Sequence, residues 1–435
     1  MHPKALLDAC SELVRQALTF EHPADAVVSR FFRQNGKSAY GSRERAVLAE
    51  TLYNVLRHKL RFEHFAPSGS GPRERRLAIL GFAMQLMDQR PGQSGATDFL
   101  KSALSEAEKA WLDACLAVRP EDLLERHRYS LPEWLDTALR TQFPDPAEFQ
   151  AMAQSLLKPA ALDLRVNTYT DRREDVQKEL DLLGLKSTLT PYSPWGLRLA
   201  GKPALTRTDA FARGAIEVQD EGSQLLAAVL EAKRGEMVVD FCAGAGGKTL
   251  ALGAQMRSTG RLYAFDTSAH RLDALKPRLA RSKLSNVHPA VIAHERDERI
   301  KRLHGKIDRV LVDAPCSGLG TLRRNPDLKW RQSPQAVAEM QVRQKAILES
   351  ASKLLKPGGR LVYATCSLLP DENEAVVATF EAQNPRFKPL AALEVLQALK
   401  ISHAESLCSA DGRFLRLSPH QHEADGFFAA IWQAA

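Results

Sequence analysis

Two short motifs place thiols where chemistry could happen. Asp313-Ala314-Pro315-Cys316-Ser317-Gly318 follows the apolar run Val310-Leu311-Val312, and Thr365-Cys366-Ser367 follows Leu361-Val362-Tyr363. Each run has the composition of a buried strand, so each cysteine stands just past a strand's carboxyl end. In an open parallel sheet, ligands bind at that edge. One strand-end cysteine carries little weight, because most such cysteines are small core residues. Two on neighbouring strands point to nucleophilic chemistry. C5 of cytosine is a poor nucleophile, and addition of a thiolate to C6 makes it enamine-like and able to attack a methyl group. A second group must then help remove the C5 proton and release the enzyme.

A glycine-rich loop lies upstream: Asp240-Phe241-Cys242-Ala243-Gly244-Ala245-Gly246-Gly247-Lys248-Thr249. It sits between a predicted strand and helix, where backbone can approach a ligand and helix amides can point at it. Three ligands fit such a loop. A dinucleotide prefers G-x-G-x-x-G, which is missing. A P-loop needs a first glycine where Cys242 stands, although Gly247-Lys248-Thr249 matches its end. S-adenosylmethionine is the third. Asp266, 19 positions past Gly247, follows the next predicted strand and is placed to accept from ribose hydroxyls. That suits both the dinucleotide and the methyl-donor reading.

A basic run, Arg323-Arg324-Asn325-Pro326-Asp327-Leu328-Lys329-Trp330-Arg331, follows the Cys316 motif closely. Its cations could hold phosphates and Trp330 could stack on a base. Beside the crevice it reads as a nucleic-acid contact through Arg323, Arg324, Lys329 and Trp330.

These motifs need a sheet to hold them, and the chain has the rhythm of one. From about residue 219, strands at 237–239, 262–265, 291–292, 310–312, 361–363 and 427–432 alternate with helices at 250–256, 268–281 and roughly 334–355. The alternation predicts a doubly wound parallel sheet. Residues 1–145 read as helical, with Leu6, Cys10, Leu13, Val14 and Ala17, then Val47, Leu48, Leu52, Val55 and Leu56, at helical spacing. A boundary falls at Phe143-Pro144-Asp145-Pro146. Residues 146–218 read as a small α+β unit, with a strand at 162–167, a helix carrying Val176 and Leu180, and a hairpin turning at 191–196.

The chain has 435 residues, 44% hydrophobic and 26% charged, and a net charge of +8. That balance excludes a disordered chain. The absence of an 18-residue apolar run argues against a membrane-spanning helix, and no apolar leader opens the chain. Six scattered cysteines without C-x-x-C or H-E-x-x-H suggest reduced thiols in a cytosol and no metal site. Residues 1–150 hold 20 basic and 20 acidic residues, so 151–435 carry the whole excess, 40 minus 32. Residues 301–360 alone hold 13 basic and 5 acidic residues, again +8, which localises the expected nucleic-acid phosphate contact near Cys316.

Together these motifs resemble the NOL1/NOP2/Sun family of RNA cytosine-5 methyltransferases, in its bacterial Sun-like ribosomal RNA branch. The resemblance runs from Gln219-Asp220-Glu221-Gly222 to Asp425-Gly426-Phe427-Phe428, and the Asp-Ala-Pro-Cys and Thr-Cys-Ser pair carries most of it. It implies a Rossmann-like class I methyltransferase domain over 219–435. Leu164-Arg165-Val166-Asn167 resembles the small, RRM-like RNA-binding subdomain, here 146–218. Arg43-Glu44-Arg45-Ala46 and Tyr53-Asn54-Val55-Leu56-Arg57 are similar to the NusB-like helical, RNA-binding domain of that branch, here 1–145.

By position, the resemblance makes Cys366 the nucleophile and Cys316 the residue that assists proton removal and release. Asp313 would contact the cytosine ring or the donor. Cys242, Ala243, Gly244, Ala245, Gly246, Gly247, Lys248 and Asp266 would hold S-adenosylmethionine, with Arg271 beside the ribose acid and Asp297 at the adenine. The family's loop usually reads Cys-Ala-Ala-Pro-Gly-Gly-Lys-Thr, so Gly244-Ala245-Gly246 departs from its middle and loses the proline. The implied partner is RNA, 16S rRNA before tRNA, with a cytoplasmic monomer expected, no membrane and no metal. A P-loop NTPase, a DNA cytosine-5 methyltransferase and an inactive RNA-binding assembly factor are the rivals.

Overall fold

The computed structural model describes residues 1–36 and 39–435. It divides into two units: 1–159 with 322–333, and 160–321 with 334–435.

In the first unit, helical spacing becomes helices. Pro3–Ala17 buries Leu6, Leu7, Cys10, Leu13, Val14 and Ala17, and Ser42–Arg57 buries Val47, Leu48, Leu52, Val55 and Leu56. With Ala24–Gln34 and Arg73–Gln89 they enclose an apolar core. The helix Pro146–Ser155 belongs to this unit, so the cluster runs past the expected boundary at 145.

The segment 322–333 also belongs here, and it caps helix ends. Helix termini leave backbone groups without intrahelical partners. At the carboxyl end of Ser42–Arg57, Trp330 Nε1 donates to Leu56 O at 2.7 Å and Lys329 Nζ to Arg57 O at 2.8 Å. At the amino end of Ala24–Gln34, Ala24 N donates to Asp327 Oδ2 at 3.2 Å. The donors at the carboxyl end satisfy orphan carbonyls, and the Asp327 carboxylate at the amino end also complements the helix dipole.

The second unit holds two sheets. The smaller is antiparallel: β1 (Leu162–Val166), β2 (Ser187–Leu189), β3 (Gly196–Leu199) and β4 (Ile216–Val218), in the order β2-β3-β1-β4. The helix Arg173–Leu182 covers one face through Val176 and Leu180, against Leu164, Val166, Leu197 and Ile216. The other face is polar, yet also buried. Asp163 pairs with Arg198 at 2.7 Å, Arg165 Nε donates to Gln219 Oε1 at 2.6 Å, and Glu217 takes Arg278 and Arg281 from the helix Ala269–Ser282. The polar face of β1 and β4 is thus packed rather than open, with Asp163, Arg165 and Glu217 all buried.

The larger sheet comprises β5 (Met237–Asp240), β6 (Arg261–Asp266), β7 (Val287–Val291), β8 (Ile307–Asp313), β9 (Leu355–Thr365), β10 (Phe387–Leu390), β11 (Leu415–Leu417) and β12 (Phe427–Ala434). Its order is β10-β12-β9-β8-β5-β6-β7, with β11 on β12. Strands β5 to β9 are parallel; β10, β11 and β12 pair antiparallel. Strand order reverses at β5, and the crevice beyond the carboxyl ends there is the ligand position of such sheets. Among the described residues, no helix is long and apolar enough to cross a membrane.

Candidate active site

Four carboxyl ends converge on this crevice: β5 delivers the glycine loop, β6 Asp266, β8 Asp313 and Cys316, and β9 Cys366. Neighbouring strands are spliced just past their ends, Phe241 N donating to Leu311 O and Ala314 N to Ala364 O, each at 2.9 Å. The result is that Cys316 Sγ and Cys366 Sγ, 50 positions apart in the chain, lie 3.3 Å apart.

The glycine loop turns sharply into the helix Gly247–Gln255. Gly246 has φ +83°, and a Cβ there would meet Leu275 Cδ1 at 2.2 Å, so only glycine lets the loop pack this closely. At Gly244 (φ +54°) a Cβ would meet nothing, so that edge of the loop is open. Arg278 Nη1 braces the loop through Ala245 O at 2.6 Å. Asp266 accepts from Gly244 N at 2.8 Å and Ser268 N at 2.7 Å. Lys248 Nζ donates to Asp313 Oδ2 at 2.8 Å. Burial works against its ammonium, but Asp313, with Cys366 and Asp240, more than offsets this and holds the lysine charged.

Asp240 was quoted in the loop motif but given no role, and the structure makes it prominent. Its carboxyl is 1% exposed; Thr249 Oγ1 donates to Oδ2 at 2.7 Å, while Oδ1 is buried without a partner. Burial pushes this carboxyl up to about 7. The signal that singled out Asp266, an acid closing a strand, would have found it. Cys242, by contrast, is held toward its neutral thiol form. Burial first, then Asp313, Asp240 and Asp266, push its thiol well up, with Arg271 opposing.

These groups fit S-adenosylmethionine. Three carboxylates surround an open glycine loop, one with an unsatisfied buried oxygen, and the donor carries a sulfonium and an ammonium. The same acids repel a triphosphate, and Lys248, the residue a P-loop would aim at phosphate, is engaged by Asp313.

Asp297 lies in the loop past β7 and caps the short helix Glu298–Lys301. Ala293 N and Arg299 N donate to its carboxylate at 3.0 and 2.9 Å, and these bonds hold its carboxyl below the usual range. Strand β7 occupies 287–291, earlier than the expected 291–292.

The basic run behaves differently from its expectation. Lys329 is 2% exposed and Arg323 8%, and Trp330 is half-buried, with Lys59 and Lys329 ammonium groups 4.8 and 5.0 Å from its ring. Arg57 Nη2 donates to Arg323 O, and Arg323 Nη2 reaches Pro159 O. Arg324 is half-buried and Arg331 pairs with Asp327. Lys329 and Trp330 therefore close helix ends rather than presenting charge and ring to RNA. Elsewhere in the window, Lys301, Arg309, Lys353, Lys356 and Arg360 each pair with an acid, so the +8 of 301–360 is not a free basic strip.

Beneath the thiols lies a residue the motifs did not single out. Glu372 is fully buried and accepts hydrogen bonds from Ser317 and Ser367, each the residue after a site cysteine.

Comparison with known proteins gives the family. A family model described as 16S rRNA methyltransferase RsmB/F matches residues 227–433, and the RsmF/B-like ferredoxin-like domain matches 131–206. The probable ribosomal RNA small subunit methyltransferase B of Synechocystis is 32% identical over 416 residues, covering 89% of this chain and 90% of that protein. The chain belongs to the 16S rRNA methyltransferase RsmB/F family. The crystal structure of PH0851 aligns with 99% of both chains at TM-score 0.77 and 28% identity. A methyltransferase homologue from Pyrococcus horikoshii aligns with 73% of this chain and all of its own, at TM-score 0.61 and 29% identity. As an RsmB/F member, the protein is an RNA methyltransferase that uses S-adenosylmethionine, and the NTPase reading of the glycine loop falls.

Proposed function

We propose that this RsmB/F protein methylates C5 of a cytosine in 16S rRNA through a covalent bond between Cys366 and C6. The 3.3 Å approach of two thiols from neighbouring parallel strands, beside the donor loop, carries the reading. Simple methylation of an exocyclic amine or a hydroxyl needs no thiol; activation of a pyrimidine carbon does.

Addition of Cys366 Sγ to C6 forms a carbon–sulfur bond and moves the C5=C6 electron pair toward C5. Bound S-adenosylmethionine supplies the electrophilic methyl at that point. Release needs loss of the C5 proton, whose electron pair rebuilds C5=C6 and expels the Cys366 thiolate. Cys316 is the proton-handling partner. The hydrogen bond with Cys366, burial, and the charges of Cys366 and Glu372 push its thiol well up while Cys366 is free; bonding of the Cys366 sulfur to C6 removes the Cys366 contributions and eases proton uptake by Cys316. Asp313, held by Lys248, orients the ring or the donor. Cys242 to Lys248, Asp266, Arg271 and Asp297 line the donor's place.

Bisulfite sequencing of total RNA from cells with and without the gene tests this. One 16S rRNA cytosine should lose its protection when the gene is absent. A lost site in tRNA would move the substrate, and no lost site anywhere would overturn the C5 chemistry.

A further inference from the structure

Each site cysteine is followed by a serine, and both serines converge on one buried acid. The hydroxyls of Ser317 and Ser367 donate to Glu372 Oε2 and lie 3.2 Å from each other. Glu372 Oε1 accepts from Ser317 N at 2.8 Å and Gln344 Nε2 at 3.0 Å. These four neutral donors fill the lone-pair positions of one carboxylate. Gln344 Nε2 also reaches Pro315 O at 2.9 Å, so the turn before Cys316 is held from the same side. Tyr363 OH, on β9, donates to Glu372 O at 2.6 Å, and Asn373 Nδ2 donates to Ser367 O at 3.1 Å. Gly320 N closes the two loops on each other through Cys366 O at 2.8 Å.

Among the described residues, no cation forms an ion pair with Glu372. A buried carboxylate balanced only by neutral donors is a costly way to hold two loops, compared with apolar packing. What it provides instead is one rigid acceptor shared by the residues next to both thiols, and a fixed negative charge below them.

We propose that Glu372 is a positioning residue of the methyl-transfer site: by gripping the serine after each cysteine, its carboxylate sets the separation of the two thiols. The proposal rests on the two-thiol reading given above. The titratable groups facing Cys316 are Cys366 and Glu372, with Tyr363 behind them on β9; Lys248, paired with Asp313, faces Cys366. Of these, Glu372 alone touches the backbone or side chain of the residues after both cysteines.

The test needs neither RNA nor methyl transfer. Alkylation of Cys316 and Cys366 by iodoacetamide is followed by peptide mass spectrometry in the full chain, from about pH 6 to about pH 10, where thiolate content sets the rate. Glu372→Gln removes the charge and should move the Cys316 limb to lower pH, while Glu372→Asp keeps the charge and should leave it near the wild-type position. Formation of the Cys316–Cys366 disulfide with diamide as oxidant reads the separation. It should slow about tenfold or more in Glu372→Gln and in Ser317→Ala/Ser367→Ala, as misplacement by a fraction of an ångström does to close-contact reactions. An unmoved limb with an unchanged disulfide rate in folded Glu372→Gln overturns the proposal. If that variant does not fold, the serine double variant decides through its disulfide rate. A product other than C5-methylcytosine would sink the function proposed above without touching these thiol measurements.

Discussion

Lys248 Nζ and Asp313 Oδ2 lie 2.8 Å apart, and this pair ties the glycine loop after β5 to the strand that leads into Cys316. The Lys248 side chain is 12% exposed and that of Asp313 28%, so the pair is shielded more than a surface salt bridge. One contact thus joins the methyl-donor side of the crevice to the thiol side.

Breaking that pair leaves Asp313 without its cation and loosens the loop. Lys248→Met should therefore weaken S-adenosylmethionine binding by roughly 10- to 100-fold, the scale of about 1–3 kcal/mol for a lost charged hydrogen bond. Isothermal titration calorimetry measures it. A dissociation constant within about twofold of wild type would show that the pair acts on the thiol side alone.

Asp240 should give donor binding a pH dependence. Its carboxyl is pushed up to about 7 by burial, so below that pH it is mostly neutral and above it ionised. A donor with a cationic amino acid end favours the ionised form. Affinity should rise with pH below 7, by up to about tenfold per unit, and level off above. Asp240→Asn should flatten the curve. A wild-type affinity constant between pH 6 and pH 8 would detach Asp240 from the donor.

The roles proposed for the two thiols are separable by substitution. Cys366→Ala should abolish methyl transfer and leave donor binding intact, because the carbon–sulfur bond cannot form. Cys316→Ala should let the adduct form and slow its release, giving a denaturation-resistant protein–RNA band. A band seen only in Cys366→Ala would reverse the assignment.

What was legible in the sequence was local. The glycine loop, the two cysteines and the strands before them are short patterns whose meaning survives in isolation, and the structure brings them to one crevice. Strand β7 was placed late because Val287-His288-Pro289-Ala290-Val291 is only half apolar; as an edge strand it tolerates a proline that a central strand would not. Glu372 was not legible, since nothing near it in sequence reveals that Ser317, 55 positions away, would bond to it. The basic run misled for a related reason. Composition reports charge, but not whether a carbonyl such as Arg57 O already holds it.

That misreading yields the sharpest contrast between the two views of Lys329. If it met RNA phosphate, replacing it would reduce the salt dependence of binding by about one charge and leave folding alone. Buried and capping the helix Ser42–Arg57, it should do the opposite. Lys329→Ala removes the donor to Arg57 O and leaves a void, so the unit formed by 1–159 and 322–333 should lose about 2–4 kcal/mol while the salt slope holds. The pH dependence has a definite sign. Burial first, then Arg57 and Lys59, hold the Lys329 ammonium well below its usual range. Between that lowered value and the unfolded lysine's, the unfolded chain binds more protons, so Lys329's contribution makes stability rise with alkaline pH. The melting-temperature difference between wild type and Lys329→Ala should therefore widen as pH increases toward the lysine range. A flattened salt slope with an unchanged melting temperature would return Lys329 to the RNA surface.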